Sequence, residues 1–196
     1  PPYGVRLGEA PELAEFYPPD PDGSIPVGYI WARTIPCQNP ACGQDIPLIR
    51  QFWLAKKDKK KVALYPKVSK GKLEIRVVGD GYEKWPEGFN PEDGTVSKAV
   101  ATCLVCGSVV DGETMRRIFN EHASKQRMLA VVLATQRGKG KTYRCATHLD
   151  VATYEKASTA FEEKAERLYS VLGMSPIPDE PLISERPSPN ARGTSG

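Results

Sequence analysis

The pattern of apolar and polar residues divides the chain into a β-prone central region and a helical segment nearer its end. Between residues 27 and 148, short runs rich in Val, Ile, Tyr and Trp alternate with turn-forming residues, which is typical of antiparallel strands. The predicted strands lie at 27–35, 46–54, 61–68, 72–78, 95–102, 127–136 and 142–146, with a hairpin turn at 69–71 and a long loop at 79–94. We therefore predict a mainly β protein of the α+β class.

Two segments show helical periodicity instead. Asp111 precedes apolar residues at Met115, Ile118 and Phe119, which predicts a short helix beginning near Asp111. At 149–173, apolar residues recur every three or four positions and Gly173 is placed to end the helix. We predict a long amphipathic helix here.

The two ends of the chain differ in composition from the region between them. Residues 1–26 contain seven prolines, and proline disfavours both helix interiors and central strands. Residues 174–196 are polar and rich in Pro and Gly, which predicts a flexible tail. The predicted organisation is an extended segment at 1–26, a β domain at 27–148, a helix at 149–173 and a tail at 174–196. The chain begins without Met, so we expect a fragment or a processed chain.

Bulk composition gives no sign of a membrane or secreted protein. Mean hydropathy is −0.42, and no stretch approaches the roughly 20 apolar residues of a membrane helix. The first residues lack the apolar core of a signal peptide. We therefore predict a cytoplasmic protein without membrane contact. A net charge of +3 is too small to indicate a nucleic-acid partner by itself.

The distribution of charge is more informative than its sum. One basic block lies at 56–61, and a second, free of acidic residues, lies at 125–144. Clustered Lys and Arg side chains attract phosphate backbones. The predicted nucleic-acid contacts are Lys56, Lys57, Lys59, Lys60, Lys61, Arg137, Lys139 and Lys141. Alternatively both blocks are solvated loops, and the acidic stretch at 149–185 suits contact with a protein surface.

Four of the five cysteines form two closely spaced pairs. Four residues separate Cys37 from Cys42 and two separate Cys103 from Cys106, and each pair is followed by Gly. This is the pattern of the zinc knuckle, in which a tight turn directs two thiolates at one ion and backbone amides hydrogen-bond the sulfurs. Two knuckles would complete a structural tetrahedral Zn²⁺ site. The 60 residues between the pairs exceed the usual ribbon spacing, so the ribbon must carry an extended β-hairpin insertion.

Other interpretations of the cysteines remain open at this point. Disulfides require an oxidising compartment, and a redox Cys-x-x-Cys is expected at a helix start after a strand. Iron accepts the same four thiolates as zinc. Cys145 and His148 form a loose Cys-x-x-His pair without two further ligands, so we predict that Cys145 is an ordinary half-buried thiol. We predict no catalytic set.

Several stretches around these cysteines are similar to one known family. They are Tyr-Pro-Pro-Asp-Pro-Asp-Gly-Ser at 17–24, Tyr-Ile-Trp-Ala-Arg-Thr-Ile-Pro-Cys at 29–37, Pro-Ala-Cys-Gly at 40–43, Ile-Pro-Leu at 46–48, Phe-Trp-Leu-Ala-Lys-Lys at 52–57, Ala-Thr-Cys-Leu-Val-Cys-Gly at 101–107, Pro-Asp-Glu-Pro-Leu at 178–182 and Arg-Pro-Ser-Pro-Asn-Ala-Arg-Gly at 186–193. Together they resemble the middle of large prokaryotic adenine-specific DNA methylases that contain a zinc ribbon, the DUF1156 family. The likeness covers about residues 17–193.

The resemblance implies a zinc-bearing insertion between the catalytic segments of an S-adenosylmethionine-dependent DNA methylase. Its expected partners are DNA and the catalytic portion of the parent protein. The Gly-rich cofactor loop of such enzymes is not found in the sequence, and Pro1-Pro2-Tyr3 matches only a remnant of their catalytic loop. We therefore expect S-adenosylmethionine to bind only in the parent protein, and this chain alone to lack methylase activity. The alternative function is a zinc-stabilised protein–protein interaction module that docks through its long helix.

Overall fold

The computed structural model describes residues 11–134 and 140–178, which form a mainly β structure with three antiparallel sheets. A 3₁₀-helix covers Pro11–Phe16, and the α-helices are α1 (Gly112–Asn120) and α2 (His148–Leu172). The strands are β1 (Ile25–Pro36), β2 (Asp45–Pro47), β3 (Trp53–Lys57), β4 (Lys60–Ser69), β5 (Lys72–Gly79), β6 (Val96–Ser97), β7 (Val100–Thr102), β8 (Val109–Val110), β9 (Lys125–Ala134) and β10 (Lys141–Cys145). The predicted fold class is confirmed at this level.

The largest sheet, in the order β10-β9-β1-β2, is built around the most apolar strand of the chain. Strand β9 pairs with β1 from Ile25 opposite Ala134 to Thr34 opposite Lys125. Its central residues are buried on both faces of the sheet, as the continuous apolar run predicts. One face packs against the second sheet, and on the other the apolar residues of β9 cluster with Trp31 of β1 and Val151 of α2.

The second sheet, in the order β3-β4-β5, covers the first and completes the main core. Phe52, Val62 and Leu64 pack there against Leu129 and Ala130 of β9. The predicted hairpin turn between β4 and β5 is confirmed: Lys70 and Gly71 have φ of 49° and 72°. This left-handed geometry matches the twist of a tight hairpin.

The third sheet, β6-β7-β8, leads directly into α1 and surrounds the second cysteine pair. Asp111 is the N-cap of α1, since its Oδ1 accepts hydrogen bonds from the amides of Glu113 and Thr114, both at 2.9 Å. Met115 and Ile118 on the inner face of the helix are buried. They belong to a second core that includes two of the four paired cysteines.

Two of the predicted strands are wrong. The segment 46–54 is not one strand, because β2 and β3 belong to different sheets. Between β2 and β3, the backbone of Ile49 is hydrogen-bonded to Thr95. The Ile49 amide donates to Thr95 Oγ1 at 2.8 Å, and the Thr95 amide donates to the Ile49 carbonyl at 2.7 Å. The segment 95–102 is likewise interrupted, since Lys98 and Ala99 have φ of 49° and 59° and form a turn between β6 and β7.

The helical and terminal predictions are met in part. Helix α2 forms where predicted, and Gly173, at φ 69°, ends it by donating its amide to the Tyr169 carbonyl at 2.9 Å. No residue of α2 is buried within the described part of the chain, so burial of an amphipathic face stays a prediction. The predicted extended segment at 1–26 is interrupted by the 3₁₀-helix at Pro11–Phe16, and its residues 1–10 lie outside the described residues.

The chain divides into two compact units at the boundary between Thr153 and Tyr154. The first unit holds the three sheets, α1 and the start of α2, and the second holds the rest of α2 and residues up to 178. Among the described residues, neither helix has the length and apolar character needed to cross a bilayer.

Candidate metal centre

The first cysteine pair lies in the turn between β1 and β2. The Cys37 amide donates to the Gln44 carbonyl at 2.8 Å, and the Cys42 amide donates to the Asn39 carbonyl at 3.0 Å. The side-chain Oδ1 of Asn39 accepts a second hydrogen bond, from the Ala41 amide at 3.0 Å. Gly43 has φ of 61°, a conformation that a residue with a Cβ rarely adopts. The local sequence thus builds the compact turn that a knuckle requires.

The second pair lies in the turn between β7 and β8, and its backbone bonding is similar. The Cys103 amide donates to the Ser108 carbonyl, and the Gly107 amide donates to the Cys103 carbonyl, both at 2.8 Å. Gly107 has φ of 74°, as the position after a knuckle cysteine demands. Cys106 lies at the exposed tip of this turn.

The two turns bring the four sulfur atoms together. Cys37 Sγ lies 3.5 Å from Cys106 Sγ, and Cys42 Sγ lies 3.8 Å from Cys103 Sγ. All four sulfurs lie within 4.8 Å of one another. In a tetrahedral site each sulfur lies about 2.3 Å from the metal ion, which places the sulfurs roughly 3.8 Å from one another. A disulfide would need about 2.05 Å, and all four cysteines are free. These cysteines could therefore hold one metal ion.

Hydrogen bonds to the sulfurs follow the pattern of a knuckle. The amides of Asn39, Gln44 and Ser108, each two residues after a cysteine, lower the pKa of Cys37, Cys42 and Cys106 respectively. The net direction differs among the three thiols. Burial dominates at Cys37 and raises its pKa to about 12, whereas the hydroxyl and amide of Ser108 lower the pKa of Cys106 to about 6. At Cys42 the Gln44 amide lowers the pKa, but burial and the thiols of Cys103 and Cys106 together outweigh it, so the pKa is raised.

The cysteine cluster is part of a hydrophobic core. Cys103 is 2% exposed and packs with Ile35, Ile46, Val110 and Met115. All ligands of a four-coordinate ion would come from the protein, which leaves no position for substrate or water. Such a centre can hold strands and helix together, but it has no open coordination position for a substrate. Within the described residues, these four cysteines are the one group of three or more metal-binding side chains that converge.

The basic residues predicted to contact nucleic acid fall on different faces. Lys57 lies opposite Lys60 and Lys56 lies opposite Lys61 in the β3–β4 register, so the two pairs point to opposite faces of the hairpin. Lys59 lies in the connecting turn. Lys141 begins β10, and Lys60 Nζ donates to its carbonyl at 2.5 Å. The two other predicted contacts, at positions 137 and 139, lie outside the described residues.

Some features of the site have weak or no sequence signals. Ser108 follows the Cys-x-x-Cys-Gly motif directly, which is the one clue to its contact with Cys106 at 3.2 Å. Nothing local indicates that Tyr143 lies beside Lys60. Cys145 is half-buried, as predicted, and its Sγ donates to the Ile75 carbonyl at 3.0 Å.

Comparisons with known proteins give no independent identification of this arrangement. No protein-family model, no curated protein and no solved structure matches the chain.

Proposed function

We propose that the chain is a zinc-ribbon module in which Cys37, Cys42, Cys103 and Cys106 hold one structural Zn²⁺. The convergence of four sulfurs at tetrahedral spacing carries this proposal. The β1–β2 and β7–β8 turns are its two knuckles, and the β3–β4–β5 sheet is the extended hairpin insertion between them. The ion would organise folding, because it joins two turns that lie about 60 residues apart in the chain.

The larger role we propose is that of a non-catalytic module in an S-adenosylmethionine-dependent adenine-specific DNA methylase. This role is supported by the sequence resemblance and by the lysine-rich β3–β4 hairpin, which projects charge suited to a phosphate backbone. The module would aid DNA recognition or position the catalytic segments. S-adenosylmethionine would bind to the catalytic portion of the parent protein.

A second candidate function is a zinc-stabilised protein–protein interaction module. It is favoured by the apolar side chains that α2 leaves exposed: Phe161, Tyr169 and Leu172 are 59%, 57% and 56% exposed. Clustered apolar exposure of this kind is typical of interaction sites. In this role the lysines of the β3–β4 hairpin would only be solvated.

DNA binding by zinc-loaded and metal-stripped protein separates the two functions. We would follow the anisotropy of a fluorescein-labelled 20-base-pair duplex at several salt concentrations, with circular dichroism recorded in parallel. The methylase-module proposal predicts salt-dependent binding by the loaded chain, and loss of both binding and β structure after chelation. A folded, loaded chain that does not bind DNA would contradict the DNA role and favour the interaction module.

A further inference from the structure

A groove of the first unit lies between the β3–β4 hairpin and the start of β10. Its volume is about 770 Å³. The polar lining comprises Lys57, Lys60, Lys141 and Tyr143, and the remaining described lining residues are two alanines and a glycine. Three positive charges thus face one concave surface, and no carboxylate lies among its described lining residues.

The lysines converge because two different sheets contribute to the groove. Lys57 and Lys60 are register partners across the hairpin and project from the same face. Lys60 reaches β10, where its Nζ donates to the Lys141 carbonyl at 2.5 Å and lies 5.6 Å from the ring centroid of Tyr143. The Tyr143 amide donates to Tyr82 Oη at 2.7 Å, which fixes this part of β10.

Lys56, on the opposite face of the hairpin, has different surroundings. Lys56 forms an ion pair with Glu92 and lies 5.6 Å from the Trp53 ring, so its charge is already neutralised. By contrast, no ion pair to a carboxylate involves Lys57, Lys60 or Lys141 among the residues described. Uncompensated ammonium groups that line one groove repel one another, and a polyanion relieves this repulsion. Lys59 and Lys61 also form no such ion pair among the described residues, but they are not among the described residues that line the groove.

We propose that this groove binds the phosphate backbone of DNA, with Lys57, Lys60 and Lys141 each neutralising one phosphate. The proposal deepens the DNA role given above and rests on it. It differs from a uniform contribution of the whole lysine block, because it assigns binding to one face of the hairpin together with β10. Because the other described lining residues are small, the DNA backbone has room to approach the lysines. The Tyr143 ring lies beside Lys60 Nζ and holds it toward the groove.

Two charge-matched triple variants test this assignment. The groove variant is Lys57→Ala, Lys60→Ala, Lys141→Ala, and the control variant is Lys56→Ala, Lys59→Ala, Lys61→Ala. Both remove three positive charges, and five of the six changes fall on the β3–β4 hairpin. Binding of the labelled duplex, and of one of its single strands, is measured by anisotropy between 50 and 200 mM salt with zinc-loaded protein.

Counterion release sets the expected size of the effect. The logarithm of the affinity falls linearly with the logarithm of the salt concentration. Loss of three phosphate contacts should make this negative slope shallower by about 2.7 for duplex DNA, or by about 2.1 for a single strand. Affinity near 0.1 M salt should then fall on the order of 100-fold in the groove variant for whichever form the wild type binds more tightly. The control variant should lose less than about fivefold.

A milder variant guards against misfolding, since Lys60 contacts β10 directly. Lys57→Gln combined with Lys141→Gln keeps Lys60 and the backbone carbonyl of residue 141 that it contacts. This double variant should make the negative salt slope for duplex DNA shallower by about 1.8. Equal losses in the two triple variants would overturn the groove assignment and leave the DNA role as a matter of general charge. If folded wild type did not bind DNA, both the groove assignment and the DNA role would be overturned. The zinc ribbon is tested separately, by the metal content of the chain.

Discussion

Replacing Arg144 by Met should destabilise the fold, because Arg144 joins the N-terminal segment, β10 and the start of α2. Its guanidinium donates to both carboxylate oxygens of Asp20 at 2.6 and 2.9 Å, and to both of Asp150 at 2.7 and 2.8 Å. The three side chains are 29%, 16% and 9% exposed in that order. The substitution would leave two poorly hydrated carboxylates without their cation.

The magnitude follows from this partial burial. Removing one partner of a fully buried ion pair costs about 3–5 kcal/mol, and an exposed pair is worth about 0–1 kcal/mol. Arg144 lies between these cases but has two bidentate partners, so we expect the free energy of unfolding to fall by about 2–3 kcal/mol. In urea the midpoint should fall by roughly 1 M.

The pH dependence gives this prediction a second signature. Burial raises the pKa of Asp150, but hydrogen bonds from Arg144 and Thr147 outweigh it and hold the pKa at about 2, below the ordinary 3.8. Because the folded pKa is the lower one, ionised Asp150 stabilises the fold above pH 3.8, and this contribution is lost as the pH falls through about 2. The Arg144→Met variant should lose less stability over this window.

Urea unfolding followed by circular dichroism at pH 7 and pH 3 measures both effects. The matched control is Arg76→Met, because Arg76 is 38% exposed and pairs only with the exposed Glu74 and Glu83 among the described carboxylates. We expect the control to cost less than about 1 kcal/mol. If the two variants lost the same stability, the reasoning from burial and bidentate geometry would be refuted.

Two further substitutions test the packing of Gly94 against the Ile49–Arg50 backbone and of Phe52 in the main core. Gly94→Ala should cost about 2 kcal/mol or more in thermal unfolding, because a Cβ there would lie 2.2 Å from the Ile49 carbonyl oxygen. Gly28→Ala, whose Cβ would lie 3.7 Å from Val132, is the control and should be neutral or slightly stabilising; a reversed order would contradict the account. Phe52→Ala, at a residue 2% exposed, should cost about 3–5 kcal/mol in urea, and a loss under 1 kcal/mol would show that this core is not closely packed.

Features that depend on neighbouring residues could be predicted from the sequence. The N-cap at Asp111, the tight turn at Lys70 and the end of α2 at Gly173 all follow from residues within one turn of backbone. Each cysteine turn is local in the same sense. Their convergence was predicted from coordination chemistry, because two thiolates alone do not complete a tetrahedral site.

Features that depend on distant partners could not be predicted. The Ile49 backbone bonds to Thr95, 46 positions away, and this contact rather than local propensity divides the predicted strand at 46–54. The contact between Lys60 and Lys141 spans 81 positions and depends on how two sheets pack. Such contacts are set by tertiary structure, about which a local pattern of apolar residues carries no information.

The central claim is best tested by elemental analysis of the purified chain together with its circular dichroism. Wild type and the control variant Cys145→Ser should each contain about one zinc per chain, because Cys145 lies outside the four-sulfur cluster. Cys103→Ser should lose the zinc together with folded β structure. A folded wild-type chain that contains no metal, or iron in place of zinc, would contradict the proposed zinc ribbon.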